Sequence, residues 1–375
     1  MKTTFKSLQL SVVCLAALQL APLPAFAVDE SLQVVPEFWI KSGNETTPMN
    51  YSSRPDLPKP RQIAVYENDA VSDIGYVVAS EFARSETAVF ILFDSGKVIK
   101  FDFIANRVLW DVETSDNARQ FAVSADGSKI VLTETTGVLI LRSSDGSVEK
   151  RLPELCIGTC MAVAMSRDGR FVAVGDASGN AHVAEIDVPT NRWRRKNHDW
   201  PVRKLILLEN DGRRFLVTSD ARDVVLYDLL DDEERRRMRG RHEQDGYRDL
   251  WINSLYAVPG TNFFVVGGYS DVFVLDAAPG EIVGTFTESG QVVVSAYASA
   301  DLKQVKAVSR DHIMYAWNTE TGAVSSEHYL ETPLLSIFTH SSISPDGSYT
   351  ALTSTDLIFG LPPRAPNRIR IFHTP

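Results

Sequence analysis

Two cysteines and a few histidines, acids and aromatics are where this sequence could hold chemistry. Cys156 and Cys160 enclose Ile157-Gly158-Thr159. A glycine in so short a ring permits a tight turn, so the spacing predicts a disulfide. By loop entropy it would stabilise the fold by about 2 kcal/mol. Without a third and fourth ligand nearby, the same two thiols make a poor metal site. The seven histidines are scattered, and none stands at ligand spacing from another His or Cys. No Gly-x-Ser-x-Gly turn, Gly-rich phosphate loop or Cys-x-x-Cys-His haem site occurs. The paired acids Asp231-Asp232 and Glu233-Glu234 are adjacent, with nothing to keep one of them protonated. The expectation is therefore no catalytic residue within a motif, no metal and no cofactor.

Binding is better served. Asn197-His198-Asp199-Trp200-Pro201 joins an acid–base pair to a large aromatic of the kind that anchors interfaces. Local hydrogen bonds tying down the loop are the alternative. A long insertion, Asp231 to Asp249, sets Arg235-Arg236-Arg237, Arg239, Arg241, His242, Tyr247 and Arg248 behind Glu233-Glu234. It reads either as a basic patch for an acidic partner or as a self-neutralised, solvated edge strand. Ser354 to Asn367 carries the apolar run Leu357-Ile358-Phe359-Gly360-Leu361-Pro362-Pro363, either a recognition surface or a cover for a seam. Tyr329 to Phe338 contributes Leu334, Leu335, Ile337 and Phe338, expected to be buried. From these stretches His198, Asp199, Trp200, His242, Tyr247, Arg248 and Phe359 are the candidate binding residues.

The elements that must position them repeat. Turns at Asp126-Gly127, Asp168-Gly169, Asp211-Gly212, Pro259-Gly260, Ala300-Asp301 and Asp346-Gly347 follow a first turn at Arg84-Ser85. Their spacing is about 41 to 48 residues, with alternating apolar strands between them. Four short strands per period is the signature of a propeller blade. The first unit reads Ile74–Ser80, Thr87–Phe93, Val98–Phe103 and Val108–Val112, and five similar units follow. In the second the first strand is Gln120–Ser124, and in the fourth the outer strand is charged and lies near Arg235–Arg239. The seventh has only His340–Ser344, Tyr349–Thr353 and Arg368–His373. Its missing strand is expected from Gln62–Tyr66, which would leave no unpaired edge at the join.

The best-formed unit, Ser309 to Gly322, resembles the WD40 repeat. Ser309, Asp311, Ile313, Trp317 and Asn318 fall where that family has a small polar residue, a turn Asp, an aliphatic strand and Trp-Asp. Ile343-Ser344-Pro345-Asp346-Gly347 is similar to the family's first turn. Elsewhere Phe101-Asp102, Ile186-Asp187, Tyr227-Asp228 and Leu275-Asp276 replace Trp-Asp, and Gly240-Arg241-His242 imitates Gly-His with an insertion. The family's buried His–Ser–Asp–Trp hydrogen-bond chain is complete in no unit. The resemblance, WD40-like or quinoprotein-like of the YVTN type, implies an all-β seven-bladed propeller over residues 62–375.

Lys2, Lys6, the apolar run Leu8 to Leu20 and Ala25-Phe26-Ala27 read as a secretory signal peptide over 1–27. Cys14 follows the bulky Val13, which disfavours lipid attachment. Residues 28–61, with Pro36, Pro48, Pro55, Pro58 and Pro60, read as an extended leader. Asn44 and Asn50 match the glycosylation acceptor pattern. A net charge of −10 argues against nucleic acid or anionic lipid as partners. The expected protein is exported, periplasmic or extracellular, with no membrane insertion once the signal is removed. It would be non-catalytic and would bind a protein or cell-envelope partner. Two alternatives are a structural subunit similar to the heavy chain of periplasmic amine dehydrogenases, and a hydrolase or lactonase with a site on the axis.

Overall fold

The computed structural model describes residues 37–38, 56–67, 77–114, 118–188, 190, 192–210, 212–240, 252–269, 271–287, 292–330, 336–356 and 368–374. Residues 1–27, most of 28–61, the two acceptor asparagines, and His242, Tyr247, Arg248 and Phe359 lie outside them. All described secondary structure is strand, arranged as seven sheets that are antiparallel except where Glu37–Phe38 joins one of them. No helix among the described residues is long and apolar enough to cross a membrane.

Each sheet is one blade of the propeller. The innermost strands are Val77–Phe82, Phe121–Val123, Cys160–Met165, Lys204–Asn210, Ser254–Ala257, Val293–Ala298 and Ser336–Ile343. Each contacts the next, and the seventh contacts the first, so they ring an axis. The seventh sheet runs Arg61–Glu67, Arg368–His373, Tyr349–Asp356, Ser336–Ile343. Its outer strand pairs antiparallel with the C-terminal one, Arg61 opposite His373 and Glu67 opposite Arg368. Ala64, Ile369 and Ile371 then pack on Val89, Ile91 and Phe93 of the first blade. The Tyr66 ring meets Phe101 edge-on at 5.3 Å.

The first turn of a blade has a repeated chemistry. In Ser124-x-Asp126, Ser166-x-Asp168, Ser299-x-Asp301 and Ser344-x-Asp346 the hydroxyl donates to the carboxylate at 2.6–2.7 Å. The same carboxylate accepts the backbone N–H two residues on. Such side-chain bonds hold a turn that the strands alone would leave open. Between blades the core is apolar: Trp317 is fully buried and its ring lies 5.8 Å from Phe286 of the preceding blade.

Strand limits differ from the sequence expectation where irregularity intervenes. The seventh blade's inner strand starts at Ser336, not His340, because a bulge between Phe338 and His340 lets it continue. Glu37–Phe38 of the leader pairs parallel with Glu233–Gly240, adding a fifth strand to blade four. Leader residue Pro58 accepts a bond from the Tyr329 N–H at 3.0 Å.

Candidate functional site

The loop 197–203 leaves blade three and enters blade four. Gly179 makes room for it. This glycine has φ +83°, and a Cβ there would overlap the His198 carbonyl oxygen. Its own carbonyl accepts both the Asn197 N–H, at 3.0 Å, and the His198 N–H, at 3.1 Å. On the far side Val202 is fully buried over Gly175, and its N–H donates to the Asp176 carbonyl at 3.1 Å.

The His198 ring is buried and points into blade four. Nε2 lies 2.9 Å from the Thr218 hydroxyl, and Nδ1 lies 3.4 Å from Asp220 Oδ2, long for a hydrogen bond but close for Coulomb attraction. Asp220 also accepts the Arg222 and Asp223 N–H groups at 2.6 Å each. Burial pushes its carboxyl up, but His198 and those two N–H bonds outweigh burial and hold it below the ordinary carboxylate value. His198, Thr218 and Asp220 thus occupy three places of the His–Ser–Asp–Trp chain, with Thr in place of Ser. The signal was legible in Thr218-Ser219-Asp220, which has the spacing of Ser309-Arg310-Asp311.

With His198 turned inward, Trp200 is turned out and is 51% exposed. The Arg222 guanidinium lies 4.8 Å from its ring centroid, a cation–π contact worth about 0.5–1 kcal/mol at an exposed site. Beside them opens a polar cleft of about 490 Å³, lined by Lys196, Asp199, Asp223 and Arg237 among others. Arg237 donates to the Asn197 carbonyl at 2.9 Å and pairs with Glu234 at 2.8 Å. Asp199 is exposed at the rim.

The arginine-rich strand Glu233–Gly240 is largely self-neutralised. Arg235 reaches Asp228 at 3.1 Å and Asp231 at 2.6 Å, and Arg236 donates to the Gly280 carbonyl at 2.8 Å. Cys156 and Cys160 are disulfide-bonded, with Cα atoms 5.5 Å apart. Their ring is the loop entering blade three. The Cys156 and Cys160 N–H groups donate to the Thr136 and Thr135 carbonyls at 3.0 and 2.9 Å.

Sequence reasoning missed the buried lysines. Lys100 donates to the Ser143 carbonyl at 3.1 Å and pairs with Glu86 at 2.7 Å, joining blades one and two. Lys306 donates to the Gly347 and Thr374 carbonyls at 2.8 and 2.9 Å, tying blade six to blade seven. Each reads in sequence as one more solvent-facing position of an alternating strand. No group of three or more metal-ligating side chains occurs among the described residues.

No family model matches the sequence, and no curated protein does either. Among solved structures the chain is similar to one titled "Structure of U3-55K", a WD40 propeller protein. The TM-score is 0.66 at 14% identity, covering 84% of this chain and 100% of that one. At that identity the likeness speaks to the fold, and the fold is a WD40-like seven-bladed propeller.

Proposed function

We propose that this chain is an exported, non-catalytic propeller that docks a protein or cell-envelope partner on the loop face of blades three and four. The observation that carries the reading is Trp200. It is a large aromatic held outward by a loop whose histidine is locked inward, stacked under Arg222 at 4.8 Å and set beside a cleft. Aromatic and arginine anchors next to a pocket are the usual centre of a binding surface. A loop fastened at Gly179, His198 and Val202 presents them with little ordering cost. The basic, apolar N-terminus with Ala25-Phe26-Ala27 supports export.

The inner strands weigh against a hydrolytic axis. Among the described residues they carry two acids, Glu81 and Glu209, each bound to an arginine, Arg84 and Arg214. Two carboxylates so occupied are not free to act as a carboxylate acid–base pair.

The test is cross-linking in the native compartment followed by pull-down with wild type and Trp200→Ala. A specific protein should be recovered, and Trp200→Ala should weaken its binding at least tenfold without changing the melting temperature. Undiminished recovery with Trp200→Ala would overturn the docking face, and retention of the chain in the cytoplasm would overturn export.

A further inference from the structure

Blades four and seven sit on opposite sides of the ring, and their inner strands bring an unusual set of groups to the axis. Lys204 is the first residue of its strand, opposite Ser219. His340 and Ser342 lie two residues apart on the strand Ser336–Ile343, on one side of it. His340 Nδ1 and Ser342 Oγ are both buried and have no hydrogen-bond partner. Native proteins leave few such atoms unpaired, and each one asks for a ligand or a water.

Lys204 makes the case stronger. The buried lysines Lys100 and Lys306 each find carbonyl oxygens, and Lys100 a carboxylate as well. Among the described residues Lys204 has no carboxylate or carbonyl partner, and its ammonium is pulled down by burial alone. Its neighbour Arg203 gives its carbonyl to the Gln120 side chain of blade two at 3.2 Å, placing this strand start at the mouth of the ring. The charge of Lys204 reaches His340: burial first, and Lys204 second, push that imidazole down to about 4. A cation with no carboxylate or carbonyl partner, set near two unpaired polar atoms that can each carry a proton, suits one occupant, an oxygen anion.

We propose that the axial mouth between blades four and seven binds a small oxyanion, a carboxylate or phosphate, anchored by the Lys204 ammonium and completed by His340 and Ser342. The site is separate from the Trp200 face and does not rest on the docking reading. A bound anion cancels the repulsion that Lys204 exerts on His340 and accepts a hydrogen bond from the protonated imidazole. Binding must therefore raise the midpoint at which His340 takes up a proton.

The experiment uses the full purified chain, titrated with sodium acetate or sodium phosphate against sodium chloride at matched ionic strength. Two readouts are taken, the melting temperature and the imidazole NMR resonance of His340, identified by its loss in His340→Gln. The expected result is a saturable stabilisation by acetate, phosphate or both that chloride does not give, and a rise of the His340 midpoint from about 4 by a unit or more. The anion that saturates at the lower concentration identifies the preferred chemistry. Lys204→Met should weaken the response at least tenfold. A His340 midpoint that ignores both anions, or stabilisation no greater than that of chloride, overturns the site. An undiminished response in Lys204→Met overturns the anchor. Should that variant fail to fold, the wild-type His340 titration decides the matter by itself.

Discussion

The loops entering blades three and four occupy equivalent places in successive repeats, yet they are held by different means. Each is received by an aspartate at or just past the end of the second strand of the blade it enters. Asp176 accepts the Ile157 N–H at 3.3 Å and, from its own blade, the Asn180 side chain at 2.9 Å and His182 at 3.0 Å. Asp220 receives His198 from the loop itself. The first loop carries a covalent staple, Cys156–Cys160, and the second has a histidine hook and a glycine seat instead. Each leaves one apolar side chain outside, Ile157 or Trp200. One aspartate position thus serves two fastening schemes, and only the hooked loop presents a large aromatic.

The contrast can be broken in steps. The largest effect is expected from Gly179→Ala, which sets a Cβ against the His198 backbone at a positive φ. It should cost about 3 kcal/mol or more, read by urea unfolding, with lost amide protection at Asn197 and His198. Its counterpart Gly158→Ala, at φ +80° with nothing within 4 Å, should cost only about 1–2 kcal/mol. Equal losses would mean that the Gly179 seat does not hold the second loop.

Acid comes next, and it should not discriminate between the loops. His340 is neutral in the fold down to about 4, against 6.5 for the free side chain. As pH falls through 6.5 the unfolded chain takes up the proton first. Stability is full above 6.5 and declines by about 3 kcal/mol on the way to pH 4. Asp176 and Asp220 are both held below the ordinary 3.8, Asp176 because the His182 and Asn180 bonds outweigh burial. Their share is present above 3.8 and is lost only below it. Chemical denaturation followed from pH 7 to 3 should show two successive declines, the first reduced in His340→Gln and its remainder due to His328, which burial and then Lys306 also hold down.

Reduction, by contrast, should separate the loops. Breaking Cys156–Cys160 is expected to remove about 2 kcal/mol and to speed hydrogen exchange at the Cys156 and Cys160 amides. Exchange at Asn197 and His198 should be unchanged. The smallest change is Trp200→Ala. Losing its contact with Arg222 should shift stability by no more than about 1 kcal/mol, so any larger loss in calorimetry would make Trp200 a structural prop.

The architecture was readable because seven units share one alternation and four of them share one turn chemistry. Ser-x-Asp at Ser124, Ser166, Ser299 and Ser344 writes the same hydrogen bonds each time. The site was less readable, since its groups come from different repeats. The closest repeat in sequence, around Trp317, leaves that indole N–H without a hydrogen-bond partner. The weaker fourth repeat assembles His198, Thr218 and Asp220. A Thr for a Ser keeps the hydroxyl but hides the match. Lys204 and His340 are far apart in sequence and come within electrostatic reach only through ring geometry, which no local pattern encodes.

The pairing of Arg61–Glu67 with Arg368–His373 has a consequence for biosynthesis. A disc whose final sheet borrows from its own beginning cannot be completed while its distal segment is still inside the ribosome. Early blades must wait, incompletely latched, until that segment emerges. This delay makes the last strand pair the step that latches the ring. It also means that a premature stop anywhere in the last repeat leaves an adhesive sheet margin rather than a slightly smaller wheel.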